Sequence, residues 1–135
     1  MSKFEEEFVT FFTEKKLIFT RNDRGLTGTP DFSFDNGSIV LFLHGCFWHG
    51  HNCADRNLDK IWLSKINSTI KKDFLVRQSF LASDVRFLRV WECDFVANKC
   101  KVFAKIHNEI TSQQLRSCIA KKDQKVLEKT LLHID

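Results

Sequence analysis

The sequence has no apolar run approaching the roughly 20 residues of a membrane span. Its most apolar stretch, residues 40–47, is short enough for a buried strand. The opening residues, MSKFEEEF, carry acids where a secretory signal needs an apolar region, so a cytoplasmic protein and no membrane partner are expected. No linker, repeat or low-complexity segment divides the chain, and 135 residues suit one domain across 1–135. Proline is nearly absent, with Pro30 alone, and tyrosine is missing altogether against fourteen phenylalanines. Most of those phenylalanines belong in a core. Cysteine does not come in pairs. Five thiols suit a reducing compartment and use in packing or metal binding, not a disulfide framework. With 43% hydrophobic and 28% charged residues, the chain is globular rather than disordered. A formal charge of +4 permits nucleic-acid binding without establishing it.

Phe4, Phe8, Phe11 and Phe12 follow helical spacing, which predicts an amphipathic helix over 3–15. Residues 17–21 read as a short strand, and the polar stretch 22–29 as a loop closed by Pro30. Residues 31–34 alternate like a half-buried strand. Asn36-Gly37 signals a hairpin into a second strand over 38–44, apolar enough to be buried on both faces. Asp59 is placed to cap a long helix reaching about Ala82. Its stripe of Trp62, Leu63, Ile66, Ile70, Phe74 and Leu81 lies opposite a side biased positive by Lys60, Lys65, Lys71, Lys72 and Arg77. Residues 85–91 read as a strand with Val85 and Phe87 inward, Leu88 and Val90 as further inward candidates, and Trp91 in the core. A helix from about Phe95 to Ile110 and a charged helical tail over 112–135 complete the pattern. This order argues for an α/β fold, a mixed sheet with helices on its faces.

Chemistry is concentrated in His44-Gly-Cys-Phe-Trp-His-Gly-His-Asn-Cys53, which holds three of five histidines and two of five cysteines. Thiolate and imidazole are the preferred ligands of zinc, which takes four in a tetrahedron. Cys46, Cys53 and one histidine between them supply three, and Cys93 and Cys100 are the candidates for the fourth. Histidines left over suit acid–base work. A hairpin centred on Asn36-Gly37 pairs residues whose numbers sum to about 73, which puts Asp31 opposite Phe42 and near His44. A carboxylate, a backbone carbonyl and a histidine there can hold Mg²⁺ and activate water. Phe47 and Trp48 sit inside this polar loop, and Trp62 begins the basic helix. Exposed aromatics beside Lys and Arg are used to stack on bases or pry them apart.

Pro30-Asp31-Phe32, the run Phe42-Leu-His-Gly-Cys-Phe-Trp-His-Gly-His-Asn-Cys53, Trp62-Leu-x-Lys-Ile66 and Val90-Trp-Glu-Cys93 together resemble the very-short-patch repair (Vsr) endonucleases, over about residues 4–93. These enzymes nick duplex DNA at T·G mismatches left by deamination of 5-methylcytosine. The resemblance implies a restriction-endonuclease-like single domain. It implies Asp31 as the Mg²⁺-binding carboxylate, with the Leu43 carbonyl as a second ligand, and His49 as general base with His44 close by. Glu5 and Asp73 would be supporting acids. Cys46, His51, Cys53 and Cys93 would hold a structural Zn²⁺, and Phe47, Trp48 and Trp62 would wedge into double-stranded DNA. The strand over 39–44 lacks the acid-x-Lys pair of most nucleases of this fold, and a histidine-based site replaces it. The expected departures from the family are a first helix that begins almost at Met1 where an arm is usual, Leu43 where threonine is usual, Gly50 and Asn52 where histidines are common, and a short loop over 54–57. The expected protein is a monomeric nicking enzyme, with repair or restriction–modification proteins as partners. A relative of other DNA specificity tied to restriction or defence, and a non-catalytic zinc-bearing DNA-binding module, are the alternatives.

Overall fold

Helical phenylalanine spacing sets one wall of the core. In the computed structural model, which describes residues 2–53 and 59–132, α1 spans Lys3–Glu14. The Ser2 hydroxyl caps it by accepting the Glu5 amide, and Glu5 and Glu6 occupy the first turn, where acids favour the helix dipole. Phe8 and Phe12 are fully buried on its inner face. Next come β1 (Thr20–Arg21), β2 (Phe32–Phe34), β3 (Ile39–His44), α2 (Lys60–Leu81), β4 (Arg86–Trp91), α3 (Glu92–Ala97) and α4 (Lys99–Leu132). The short loop noted over 54–57 lies outside the described residues, as do the last three residues of the expected helical tail.

The four strands form one mixed sheet in the order β1-β2-β3-β4, antiparallel except for the β3–β4 pair. Phe32, Phe34, Ile39, Leu41, Leu88 and Val90 meet α1, α3 and α4 in the main core. Val40, Phe42 and Phe87 turn to the other face and pack with Val76 and Phe80 of α2. Phe8 touches the rings of Phe4, Phe12, Phe32, Phe95 and Phe103, so much of the phenylalanine excess is a single aromatic cluster.

The structure refines the sequence pattern at four places in the fold. The strand over 17–21 shortens to Thr20–Arg21, because only those residues find partners, in Ser33 and Phe32. β2 does not alternate in burial: all three residues are buried, and the Ser33 hydroxyl donates to Asp23 Oδ2 at 3.3 Å. The apolar stripe of α2 is not a buried face, since only Ile66 and Phe80 are buried there while Phe74 is 58% exposed. A four-residue step turns about 40° further than one helical repeat, so a stripe at that spacing winds off the core. The helix expected over 95–110 is interrupted at Asn98, whose side chain accepts the Lys101 amide at 3.0 Å and starts α4 afresh. From there α4 runs unbroken into the expected tail.

Phe8→Ala should cost about 3–5 kcal/mol of unfolding free energy, the range for emptying a buried aromatic site. Chemical denaturation checks it, and a loss below 1 kcal/mol would contradict a close-packed cluster around Phe8.

Candidate functional site

β3 is buried on both faces, so its alternating residues have assigned sides. Val40, Phe42 and His44 face α2. The parallel register sets His44 beside Trp91, at the carboxyl ends of β3 and β4. Past His44 the chain coils back: the His49 amide donates to the Gly45 carbonyl at 3.1 Å, and the His51 amide to that of Cys46 at 2.9 Å. This return lays the His49 ring on the His44 ring, with centroids 3.9 Å apart and planes within 5°. His49 Nδ1 lies 2.6 Å from Asp73 Oδ2 of α2. Ligating atoms of His44, His49 and Asp73 all fall within 4.8 Å of one another.

Burial pushes the His44 imidazole down to about 4, helped by the neighbouring His49 charge and opposed by Asp73. His44 is therefore neutral near pH 7. Its Nδ1 is buried with no hydrogen-bond partner among the described residues.

The hairpin register places Asp31 where the spacing predicts: Phe32 pairs with Leu41, and Asp31 Oδ2 accepts the Leu43 amide at 2.7 Å. Burial raises the Asp31 carboxyl. The Leu43 amide opposes that rise, and the Glu5 charge adds to it. Asp31, Leu43, His44, His49, Lys72 and Asp73 line one cavity of about 280 Å³. A half-buried carboxylate held above its ordinary range, beside imidazoles, is the kind of group a cation stabilises. Glu5 is not among the cavity's lining residues. It accepts from Arg21 Nη2 at 3.1 Å and Asn22 Nδ2 at 3.4 Å, and acts on Asp31 only through its charge.

Cys46, His51, Cys53 and Cys93 form a second group whose ligating atoms all lie within 4.8 Å of one another. His51 Nδ1 is 2.9 Å from Cys53 Sγ and 3.5 Å from Cys93 Sγ, and the Cys93 amide donates to Cys46 Sγ at 3.3 Å. Tetrahedral bonds of about 2.1–2.3 Å place ligand atoms about 3.4–3.8 Å apart, so little movement would close this set on one ion. Burial and the adjoining Cys53 and Cys46 thiols push the Cys93 thiol up to about 12. A bare cluster thus resists ionisation, and a cation is what would draw out its thiolates. Cys100 belongs to neither group.

Trp91, expected in the core, is only half-buried and stands between the two groups. Its ring stacks on His51 at 4.3 Å and meets His44 edge-on at 5.3 Å. The last residue of β4 has the second group, not the core, against its ring. Sequence reasoning also passed over Arg89, which shares the α2-facing side of β4 with Phe87 and Trp91. The signal was a charged residue inside the apolar run Arg-Phe-Leu-Arg-Val-Trp. Phe47, Trp48 and Trp62 do meet, with ring centroids 4.9–6.4 Å apart, and Trp48 is 56% exposed. Lys65 lies 5.0 Å over the Trp62 ring.

With this geometry in view, comparison with known proteins is specific. The family model for DNA mismatch endonuclease Vsr matches residues 2–55. The DNA mismatch endonuclease Vsr of Escherichia coli is 34% identical over 93 residues, 66% of this chain and 60% of that protein. The Type II nicking enzyme V.XorIIP of Xanthomonas oryzae is 38% identical over 80 residues, 56% of this chain and 59% of the relative. The Type II nicking enzyme V.HpaIIP of Haemophilus parainfluenzae is 31% identical over 105 residues, covering 74% of each. The chain thus spans about 60% of the length of the first two.

Gly50 seats the loop against α2. Its φ is +69°, and a Cβ there would lie 2.6 Å from Ile70 Cγ1 and 3.1 Å from Ile66 Cγ2. Gly50→Ala should lower stability by at least about 1 kcal/mol, from left-handed strain plus the clash. Adding Ile70→Ala should relieve the clash but not the strain, so the double variant should lose less than the two single losses summed. Additive losses in thermal denaturation would contradict the contact.

Proposed function

The chain belongs to the Vsr family, whose fold is restriction-endonuclease-like, and on that premise we propose that it is a DNA endonuclease that nicks one strand of duplex DNA. The observation that carries this reading is the His49–Asp73 pair facing Asp31 across one cavity. With Asp73 engaging Nδ1, His49 keeps Nε2 for the proton of an attacking water, and Asp73 steadies the imidazolium that results. His44, neutral and stacked beneath, can exchange a hydrogen bond without adding charge against that imidazolium. Asp31 and the Leu43 carbonyl would hold Mg²⁺, and the Glu5 charge would strengthen their hold. When bound, that ion supplies Lewis-acid stabilisation of phosphoryl charge and acidifies water.

Cys46, His51, Cys53 and Cys93 would hold a structural Zn²⁺, as three thiols and one imidazole in closing distance suit. That ion would tie the loop carrying His49 to the start of α3. Phe47, Trp48 and Trp62 form the exposed aromatic cluster suited to unstacking a base step. The favoured substrate is a T·G mispair from deamination of 5-methylcytosine, met by a monomer. The names of the V.XorIIP and V.HpaIIP relatives favour a second reading, a nicking enzyme of other specificity tied to restriction–modification.

The test is cleavage of labelled duplexes with Mg²⁺, mispaired and fully paired, methylated and unmethylated. Nicking confined to the T·G duplex supports the repair reading. Equal nicking of paired duplexes overturns that reading and keeps the nuclease. No nicking across the panel leaves a binding module. His49→Ala should lower the nicking rate by about 10²- to 10⁴-fold, and Asp31→Ala should abolish it. Both should retain one zinc per chain by elemental analysis, whereas Cys93→Ser should lose zinc and melt at lower temperature. Undiminished nicking in His49→Ala or Asp31→Ala would remove the mechanism.

A further inference from the structure

The His49–Asp73 pair has a second side. Opposite the Asp31 cavity, the same two residues line another, of about 500 Å³, whose walls include Arg77 and Phe74 of α2 and Arg89 and Trp91 of β4. Two guanidiniums face this space with no carboxylate in ion-pair range among the described residues. Arg21 and Arg86, by contrast, are held by Glu5 and Glu109. The one acid on this wall, Asp73, is already engaged by His49 and offsets the charge of the arginines only in part. Arg89 is half-buried, lies 5.0 Å from the Trp91 ring, and is repelled by Arg77. A partly desolvated arginine beside a like charge is costly unless an anion completes it. The planar fork of arginine matches phosphate oxygens, so phosphate is the anion this pair fits.

We propose that Arg77 and Arg89 grip a backbone phosphate of the DNA strand, next to the one presented to His49 and Asp31, and so position the strand for cutting. This rests on the reading of the chain as a DNA nuclease, and it adds two positioning residues outside the Asp31 cavity. The phosphate belongs to DNA: free inorganic phosphate would meet the same guanidiniums, but it would lack the neighbouring phosphate in the Asp31 cavity that tethers a strand. Arg77 reaches from an exposed helical position, and Arg89 from the sheet, so the two close on the strand from opposite walls. The cation–π contact with Trp91 holds Arg89 in place between visits of the anion.

The experiment compares wild type with Arg77→Gln, Arg89→Lys and the Arg77→Gln/Arg89→Gln double variant. It measures duplex binding by fluorescence anisotropy over a salt series without magnesium, and nicking kinetics with it. Each neutralised phosphate contributes about 0.9 to the slope of log K against log salt. The double variant should therefore lose about one unit of slope. Its KM should rise several-fold, with kcat within about twofold. Arg89→Lys should keep the slope, and Arg77→Gln alone, on an exposed helical face, should weaken binding without lowering the melting temperature. Inorganic phosphate at millimolar concentration should compete weakly with the wild type and not at all with the double variant. An unchanged slope in the double variant overturns the proposal even if the wild type nicks DNA. A reduced slope with no nicking by any form supports the phosphate grip alone and overturns the nuclease reading with the positioning role. Loss of slope with parallel loss of zinc or of the folded state in Arg77→Gln would assign these residues to structure and also overturn it.

Discussion

Everything chemical in this protein hangs on one short return of the chain after β3. Between His44 and Cys53 the backbone must double back tightly enough to stack His49 on His44 and to bring Cys46, His51 and Cys53 together. Two backbone bonds, to the carbonyls of Gly45 and Cys46, begin the turn, and Gly50 completes it in a conformation that side chains resist. The two groups of ligands are not independent. His49 lies between Cys46 and His51, so whatever fixes the thiols fixes the imidazole that faces Asp73. A loop this polar has little apolar surface to bury, and its rigidity has to come from ligation and from the few contacts it makes with α2.

The sheet supplies the second constraint. β3 is covered on both sides, and a slip of one residue would send His44 into the phenylalanine cluster and Leu43 toward α2. Such a slip would bury an imidazole among rings and take Leu43 out of the main core, so packing enforces the register that the site needs. The parallel pairing with β4 then delivers Trp91 and Cys93 to the same edge. The apolar core on the α1 side of the sheet offsets the desolvation of His44, Asp31 and Arg89 on the α2 side. One face holds the fold together, and the other carries the groups that are costly to bury.

The parts of this arrangement legible in the sequence were those governed by local rules. Phenylalanine spacing located α1, Asp59 located the start of α2, and the Asn-Gly turn set Asp31 opposite Phe42 and near His44, the register that β2 and β3 adopt. Ligand density marked residues 44–53, and motif resemblance preferred Cys93 to Cys100; Cys93 is the one that lies beside Cys46, His51 and Cys53. What escaped was tertiary. Trp91 reads as core by hydropathy, yet its neighbours are His44 and His51 at a sheet end. The α2 stripe is legible as apolar but not in its burial: four-residue spacing precesses around the helix and leaves Phe74 in the open. Asn98 looks like an interior residue of a single helix until its side chain is seen to cap a new one. Arg89 was invisible because strand alternation gives a side but not what stands opposite.

That last omission bears on how the site divides its labour. Asp73 lies at the boundary of two cavities, one with Asp31 and one with Arg77 and Arg89. Toward the first cavity it holds His49 ready to accept a proton. Toward the second its charge eases the repulsion between the two arginines and keeps Arg89 tolerable in a half-buried position. A carboxylate shared in this way couples base and anion-facing wall: neutralising Asp73 would release the His49 ring and leave two guanidiniums unopposed. A hydrophobic residue in its place could satisfy neither neighbour. The physical demand on α2 is therefore for one acid at this point among basic residues, and Lys72-Asp73 with Arg77 one turn on is that arrangement.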